Sequence, residues 1–162
     1  MAGVIDRAIR GLGAGMAATG LEALLTGTQS ALRGKDAVYA PPNLVRRLAR
    51  RHLGIRLPRR SARRVGQAMR WSYGPGWGVA LGVAMGEGRR GPSWPLWGLG
   101  LGLAVLAFEM ILLPATGATP RVSSWRRDEL RLEVLNTMAF GIAAAGILRL
   151  LSPPSGADPR SD

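Results

Sequence analysis

The sequence predicts an all-α fold: a four-transmembrane-helix bundle with a short basic amphipathic interfacial helix between the first and second spans. Three observations lead to this prediction. Residues 96–113 form an apolar stretch of bilayer length that contains one charge, Glu109. The arginines concentrate in two loops that fall on the same side of a four-helix topology. The glycines recur at helical spacing in the apolar segments, as they do where membrane helices pack closely.

The four predicted spans cover about residues 4–26, 68–86, 95–113 and 132–151. The first is the least apolar, because it is rich in Gly and Ala and carries Asp6, Arg7, Arg10 and Glu22. Its start resembles a signal peptide, but the apolar pattern continues without a convincing cleavage site, so it is interpreted as a retained helix. Residues 1–151 are therefore predicted to form a single integral membrane domain. The tail, residues 152–162, has three prolines and few apolar residues and is predicted to be disordered.

Positive charge orients the predicted bundle. The chain has a formal net charge of +12, and most of it lies in the loop of residues 28–67 and in the loop between the third and fourth spans. Cytoplasmic loops of membrane proteins carry an excess of Lys and Arg. Both loops are therefore expected in the cytoplasm, and both termini outside it. This predicts a multi-pass protein of the bacterial cytoplasmic (inner) membrane.

Residues 41–54 of the first loop predict a short amphipathic helix that lies among the lipid headgroups. Asn43 is a plausible helix cap and Gly54 a plausible stop. Each arginine near anionic lipid contributes on the order of 1 kcal/mol to membrane binding. The alternative to lipid binding is that the helix binds an acidic partner or nucleic acid. Nucleic acid is the less favoured of these, because no aromatic residues are interleaved with the arginines to stack on bases. The predicted headgroup-binding residues are Arg46, Arg47, Arg50 and Arg51.

Glycines at a spacing of four predict tight helix packing. Such a stripe leaves one face of a helix bare, which lets a neighbouring backbone approach closely. Packing within the chain is the favoured interpretation, and a dimerisation face is the alternative. A phosphate-binding loop is excluded because no Gly-Lys-Ser/Thr follows these runs. The predicted packing glycines are Gly74, Gly78, Gly82 and Gly86 in the second span and Gly11 and Gly15 in the first.

Charged residues inside membrane spans are costly and so mark candidate functional sites. With the predicted topology, Glu22 and Glu109 lie at similar depths near the cytoplasmic end, and Glu133 opens the fourth span there. Arg70 and Arg131 flank the same layer, which predicts a buried cluster of three carboxylates and two guanidinium groups. The cluster either clamps the helices together or lines a polar cavity for a proton, a cation or a basic group. A third possibility is that the side chains snorkel to the membrane surface without partners.

Several kinds of site are excluded by composition. There are no cysteines, so disulfides, thiolate metal sites and cysteine nucleophiles are ruled out. His52 is the only histidine, which rules out a bis-histidine metal or haem site within one chain. No set of residues for nucleophilic or metal-assisted catalysis is visible, so the expectation is a protein that is not an enzyme, with no cofactor and no metal.

A set of short motifs resembles the YagU-like family of small bacterial inner-membrane proteins of unknown function. These motifs are the Gly-rich first span with a late acid, Glu22, the pair Pro41-Pro42, and Tyr73-Gly74 at the opening of the glycine-striped span. The segment 114–120, Pro-Ala-Thr-Gly-Ala-Thr-Pro, is the closest match. The family often has a histidine at the start of its last helix, where this chain has Asn136-Thr137. The resemblance implies a small polytopic membrane protein and supplies no reaction.

The predicted function is therefore that of a non-catalytic polytopic inner-membrane protein, either an accessory subunit or an envelope component. Its expected partners are anionic lipid headgroups together with a second membrane protein or another copy of the chain. The alternative is a small transporter or channel that uses Glu22 and Glu109. A basic nucleic-acid-binding protein is the weaker alternative.

Overall fold

The computed structural model describes residues 2–34, 41–86 and 93–152. Within these ranges the chain is helical and contains no strand, which confirms the all-α class. The predicted disordered tail covers residues 152–162. Of these residues Ser152 is described, and its hydroxyl donates a hydrogen bond of 2.8 Å to the Leu148 carbonyl oxygen, whereas residues 153–162 lie outside the described residues. The five helices are α1 (Ala2–Arg33), α2 (Pro41–Leu53), α3 (Arg59–Met85), α4 (Trp94–Thr116) and α5 (Arg127–Leu150), with a 3₁₀ turn at Val122–Ser124 before α5.

The helices α1 and α3 are longer than the predicted spans of residues 4–26 and 68–86. Helix α1 continues to Arg33 because no residue breaks it before Gly34, which adopts a positive φ of 65°. Helix α3 begins after Pro58 with a run of arginines, which are good helix formers. Pro75 lies inside α3 without ending it. The apolar pattern of the sequence therefore marked only part of each helix. Both helices continue into the basic loop of residues 28–67.

Two helices, α4 and α5, are long and apolar enough to cross a membrane. Only 28% of the apolar window of α4 and 39% of that of α5 are buried inside the protein, unlike the core helix of a soluble protein. Helices α1 and α3 have sufficient length, but glycines and charged residues lower their mean hydropathy. By composition, the structure therefore supports two candidate spans, where the sequence analysis predicted four.

The long helices form two antiparallel pairs, each joined through glycines. In the first pair, Gly15 of α1 lies against Gly74 and Pro75 of α3, and Gly11 lies against Gly78. The second pair packs Gly98 of α4 against Ile142 of α5 and Gly102 against Met138. As the residue number rises on one helix it falls on its neighbour, so both pairs are antiparallel. Small residues at these contacts permit the close backbone approach seen in membrane helix pairs.

Helices α1 and α5 join the two pairs. The amides of Gln29 and Asn136 exchange two hydrogen bonds, of 3.0 and 3.2 Å, at one end of this interface. Near the other end, a Cβ built on Gly13 would lie 3.8 Å from the Leu151 side chain. Helices α1 and α5 are therefore antiparallel as well. The buried core combines the small residues Ala14, Ala18, Ala144 and Ala145 with larger apolar residues, which are Leu81, Met85, Leu101, Val105, Phe140 and Leu148.

Helix α2 packs across one end of the bundle, against α3. Its residues Leu44, Val45 and Ala49 are buried. The start of α2 lies on Gly66 of α3, where a Cβ would come within 2.9 Å of the Pro42 nitrogen. Leu53, which the amphipathic pattern assigns to the same apolar face, is 69% exposed because the contact with α3 ends before it. The amphipathic helix of the sequence analysis is therefore present, and part of its apolar face covers protein.

Candidate functional site

A cavity of about 790 Å³ lies between α1, α3, α4 and α5, beside the end of the bundle that α2 covers. Its volume is within the range of roughly 300–1,000 Å³ typical of small-molecule sites. Apolar and aromatic side chains form much of its wall, and a smaller number of polar groups point into it. The polar lining includes Glu22, Gln29, Arg70, Tyr73, Glu109, Glu133 and Asn136.

One of the polar groups that line the cavity is the carboxyl of Glu109 on α4. This carboxyl lies next to the Glu133 carboxyl of α5 and the Tyr73 hydroxyl of α3, and it interacts electrostatically with Glu22. The Oε2 atom of Glu109 and the hydroxyl of Tyr73 are both buried, and neither has a hydrogen bond of ordinary geometry within the described residues. Glu133 is itself only 4% exposed. Three helices therefore bring two acids and a hydroxyl together inside the protein.

The second feature of the cavity is an ion pair between α3 and α1. The Arg70 guanidinium lies 3.9 Å from the Glu22 carboxylate and donates a hydrogen bond of 3.2 Å to the Thr26 hydroxyl. This geometry matches the clamp interpretation of the sequence analysis for Glu22 and Arg70. It does not extend to Glu109, whose described neighbours are carboxyl and hydroxyl groups.

The structure does not bring Arg131 into the predicted cluster. Arg131 is exposed and does not line the cavity, whereas Glu133 is buried and does. Successive residues of a helix are about 100° apart around its axis, so positions 131 and 133 are about 200° apart and face opposite ways. The prediction considered only the depth of these residues and neglected their rotation around α5. The structure therefore groups Glu22, Glu109, Glu133 and Arg70 and leaves Arg131 outside.

Aromatic rings close the gap between α3 and α4, which otherwise make few contacts. Tyr73 and Trp77 of α3 both pack against Phe108 of α4, with ring centroids 6.0 and 5.6 Å apart. Tyr73 and Trp77 also pack edge to face, at 6.1 Å. The interaction of aromatic rings at such distances adds about 0.5–1.5 kcal/mol beyond their burial. Tyr73 and Phe108 line the cavity on this side, and Trp77 packs against both rings.

Sequence reasoning missed the amide pair of the cavity, Gln29 and Asn136. Asn136 is 3% exposed, and its neighbour Thr137 is 7% exposed. Asn136 and Thr137 are two consecutive polar residues inside an apolar span. This pattern could have indicated that they are buried, because polar groups in membrane helices usually face the bundle interior. Gln29 gave less signal, since it lies beyond the predicted end of the first span at residue 26. Their pairing depends on the register of α1 against α5, which the sequence does not show.

The basic residues of α2 divide into two groups. Arg46 and Arg50 are exposed, as headgroup binding requires. Arg47 and His52 instead approach the carboxyl end of α4, with Arg47 Nη1 3.5 Å from the Ala118 carbonyl oxygen and His52 Nε2 3.0 Å from that of Thr116. Basic groups at a helix C-terminus satisfy its last carbonyls and oppose its dipole. A Cβ added to Gly117 would also collide with the Arg51 side chain, 2.6 Å away at its Cδ.

Five of the six predicted packing glycines lie at the contact between α1 and α3. Gly11 and Gly15 face Gly74, Gly78 and Gly82 so closely that no Cβ fits at any of these positions. Gly86 has a different role, because it ends α3 with a φ of 59°, a backbone conformation that L side chains rarely adopt. The stripe therefore serves packing within the chain along most of its length.

Within residues 2–34, 41–86 and 93–152, no three side chains of the kind that bind metals are grouped so as to hold a metal ion. No protein-family model, curated protein or solved structure matches the chain.

Proposed function

We propose that this chain is a non-catalytic, four-span protein of the bacterial cytoplasmic membrane that binds a small cationic solute in the cavity between its helices, as a transporter or channel does. The observation that carries this proposal is Glu109, which lines a cavity of about 790 Å³ and has a buried carboxyl oxygen, Oε2, without a hydrogen bond of ordinary geometry within the described residues. A carboxyl group buried in a membrane protein is costly and is found where it serves a substrate or ion pathway.

The positions of the helix ends support four spans. Helix α2 contacts the carboxyl end of α4 through His52, so the start of α3 lies at that end of the bundle. At the opposite end, Arg7 of α1 and Gly86 after α3 line a small pocket with Arg149 near the end of α5. If α4 and α5 cross the membrane, α1 and α3 extend from one membrane face to the other beside them.

The distribution of apolar side chains also supports membrane crossing by α1. Small residues form its packed face, whereas its large apolar residues point away from the protein. Monomeric soluble proteins rarely expose a continuous apolar surface of this length. In membrane helices this arrangement is normal, because small residues allow close packing and large ones face lipid. The exposed set on α1 is Val4, Ile5, Ile9, Leu12, Met16, Leu21, Leu24, Leu25 and Leu32.

The arginines of the α2 end support a cytoplasmic position for that end, with both termini outside, because cytoplasmic loops carry an excess of Lys and Arg. Arg46 and Arg50 then face anionic lipid headgroups. Membership of the YagU-like family stays part of the proposal and is supported by the motif at 114–120. Gly117 in that motif adopts a φ of 72° and ends α4, and Ala118 and Thr119 are buried behind it.

The test is binding of cations to the purified full-length chain. A panel of inorganic and organic monovalent cations is screened for a shift in the thermal unfolding midpoint in detergent. We expect at least one organic cation to stabilise the protein by RT ln(1 + [L]/Kd), or about 2.7 kcal/mol at a hundredfold excess over Kd. The variant Glu109→Gln is expected to lose the shift. The matched control Asp128→Asn, an exposed acid at the start of α5, retains it.

Two results would contradict the proposal. If no cation of the panel shifts the unfolding midpoint, the cavity does not serve a cationic solute. A stoichiometric partner that co-purifies from native membranes and covers the cavity would instead make the chain an accessory subunit, as the sequence analysis first suggested. Mass spectrometry of the protein purified in mild detergent distinguishes that outcome.

A further inference from the structure

The cavity wall has two chemically different parts. Its polar part is the Glu109–Glu133 pair with Tyr73. The apolar part includes Val105, Phe108, Leu112, Leu113 and Phe140, mainly on the cytoplasmic half of α4. A hydrated inorganic ion gains nothing from contact with such an apolar surface, whereas an apolar body attached to a charged head gains about 25 cal/mol for each Å² it buries. The wall therefore matches a ligand that has both.

The charges around the cavity favour a cationic head. Arg70 is held by Glu22 and Thr26, and Arg33 and Arg63 are exposed at the rim. The buried Glu109 oxygen faces the interior, where an organic ammonium or phosphonium group would offset the cost of burying the carboxylate. The Tyr73 side chain lies beside Glu109, and aromatic faces attract cations within about 6 Å of the ring centroid.

Tyr73 and Phe108 line the side of the cavity between α3 and α4. Tyr73, Trp77 and Phe108 are the ring contacts between these helices, which pack less closely with each other than either does with its antiparallel partner. Phe108 and Leu112 are 40% and 41% exposed. In the proposed four-span arrangement, the outer side of this gap faces the acyl chains. Movement of the side chains in the gap would connect the cavity with the bilayer interior.

We infer that the ligand is a lipophilic organic cation, which enters from the bilayer between α3 and α4, places its charged head against Glu109 and Glu133, and rests its apolar body on Phe108 and the apolar wall. This inference rests on the proposed function and specifies its substrate class. It requires both charge and apolar bulk in the ligand, so each requirement can be tested separately.

The experiment uses three probes that separate charge from bulk. Tetraphenylphosphonium has a positive charge and four aromatic rings, tetraphenylborate has the same shape with a negative charge, and tetramethylammonium has the positive charge with little apolar surface. Equilibrium dialysis of the full chain in detergent measures the Kd of each probe. We expect tetraphenylphosphonium to bind at least about tenfold more tightly than either of the others, a difference of about 1.4 kcal/mol.

Variants assign the binding to the cavity. Glu109→Gln is expected to weaken tetraphenylphosphonium binding by at least about tenfold. Phe108→Ala is expected to weaken it as well while leaving the weak binding of tetramethylammonium unchanged. The control is Ile111→Ala, on the same helix, since Ile111 is 72% exposed and does not line the cavity. If Glu109→Gln does not fold, as judged by circular dichroism, Phe108→Ala still tests the inference.

The outcomes separate this inference from the proposed function. Equal or tighter binding of tetramethylammonium overturns the lipophilic substrate class and leaves a cation site in place. Equal binding of tetraphenylborate means that apolar partitioning alone accounts for the affinity, which overturns the inference. If neither cation binds and the wider panel also fails, the proposed function fails together with it.

Discussion

At the closest point between α1 and α3, there is no room for a side chain of even one carbon. A Cβ on Gly78 would lie 2.6 Å from the Gly15 Cα atom and still closer to the Gly11 carbonyl oxygen. We expect Gly78→Ala to force the two helices apart and to lower the free energy of unfolding by about 1–3 kcal/mol, the usual cost of overpacking. Thermal unfolding in detergent measures the effect.

The matched control is Gly76→Ala, two residues away on the same helix. No atom lies within 4 Å of a Cβ at that position. There, alanine is expected to stabilise the helix by up to about 1 kcal/mol through its higher helix propensity. Equal effects of the two substitutions would show that the close contact between α1 and α3 does not exist in the membrane.

The amide pair of Gln29 and Asn136 permits a second test at the level of single residues. Each side chain donates one hydrogen bond to the other, and their residues are 107 positions apart in the chain. Gln29→Leu or Asn136→Leu alone leaves one amide without its partner, whereas the double variant removes both. We expect a coupling of about 0.6 kcal/mol in a double-mutant cycle, the average for hydrogen bonds between membrane helices, and at most about 1.7 kcal/mol. Strictly additive effects would contradict the pairing of α1 with α5.

At the scale of the element, the short helix α2 contacts two other helices. Its buried residues Leu44, Val45 and Ala49 cover α3, and Arg47 and His52 reach the end of α4. The remaining arginines, Arg46, Arg50 and Arg51, are exposed. Because α2 is tied to both α3 and α4, it stabilises the end of the bundle at which the cavity lies.

We therefore expect Leu44→Asp to detach α2, since a carboxylate buried against α3 has no partner there. Amide hydrogen exchange over residues 41–53 is expected to rise to the rate of an unprotected segment, while α5 remains protected. Leu53→Asp is the control, because Leu53 is 69% exposed and lies on the same helix. Rapid exchange of α2 in the unaltered protein would show that the helix is not docked.

At the scale of the whole molecule, the number of spans decides where the loop before α3 lies. With four spans, Arg56 and Ser123 lie on the same side of the membrane. If only α4 and α5 cross, the two residues lie on opposite sides. The chain has no cysteine, so Arg56→Cys and Ser123→Cys each introduce a single label site, and both positions are exposed. We expect a membrane-impermeant thiol reagent added outside intact cells to label neither variant and to label both after permeabilisation.

A cysteine at Ser93, just before α4, is the positive control for labelling from outside. Labelling of Arg56→Cys together with Ser93→Cys in intact cells would limit the protein to two spans. It would also place the cavity outside the bilayer and remove the basis for a membrane-entering ligand.

Much of the fold follows from sequence, because helix formation and lipid exposure depend on local composition. The all-α class, the amphipathic α2 and tight packing at the glycines of α1 and α3 were predicted from residue spacing alone, whereas the pairing of α1 with α3 was not. The span boundaries also predicted similar depths for Glu22 and Glu109, and from these depths we expected the two residues to approach each other. Spacing along one helix could not determine how helices rotate and pair, and this is why Arg131 was wrongly included in the cluster.

The sequence by itself determined which segments are helical and which helix faces are bare, since each depends on residues close together in the chain. Only the tertiary structure decided that Glu109 meets Glu133 and Tyr73, that Gln29 pairs with Asn136, and that aromatic rings bridge α3 and α4. These contacts join residues far apart in the chain. They depend on helix register and rotation, which are set by the packing of all the helices together.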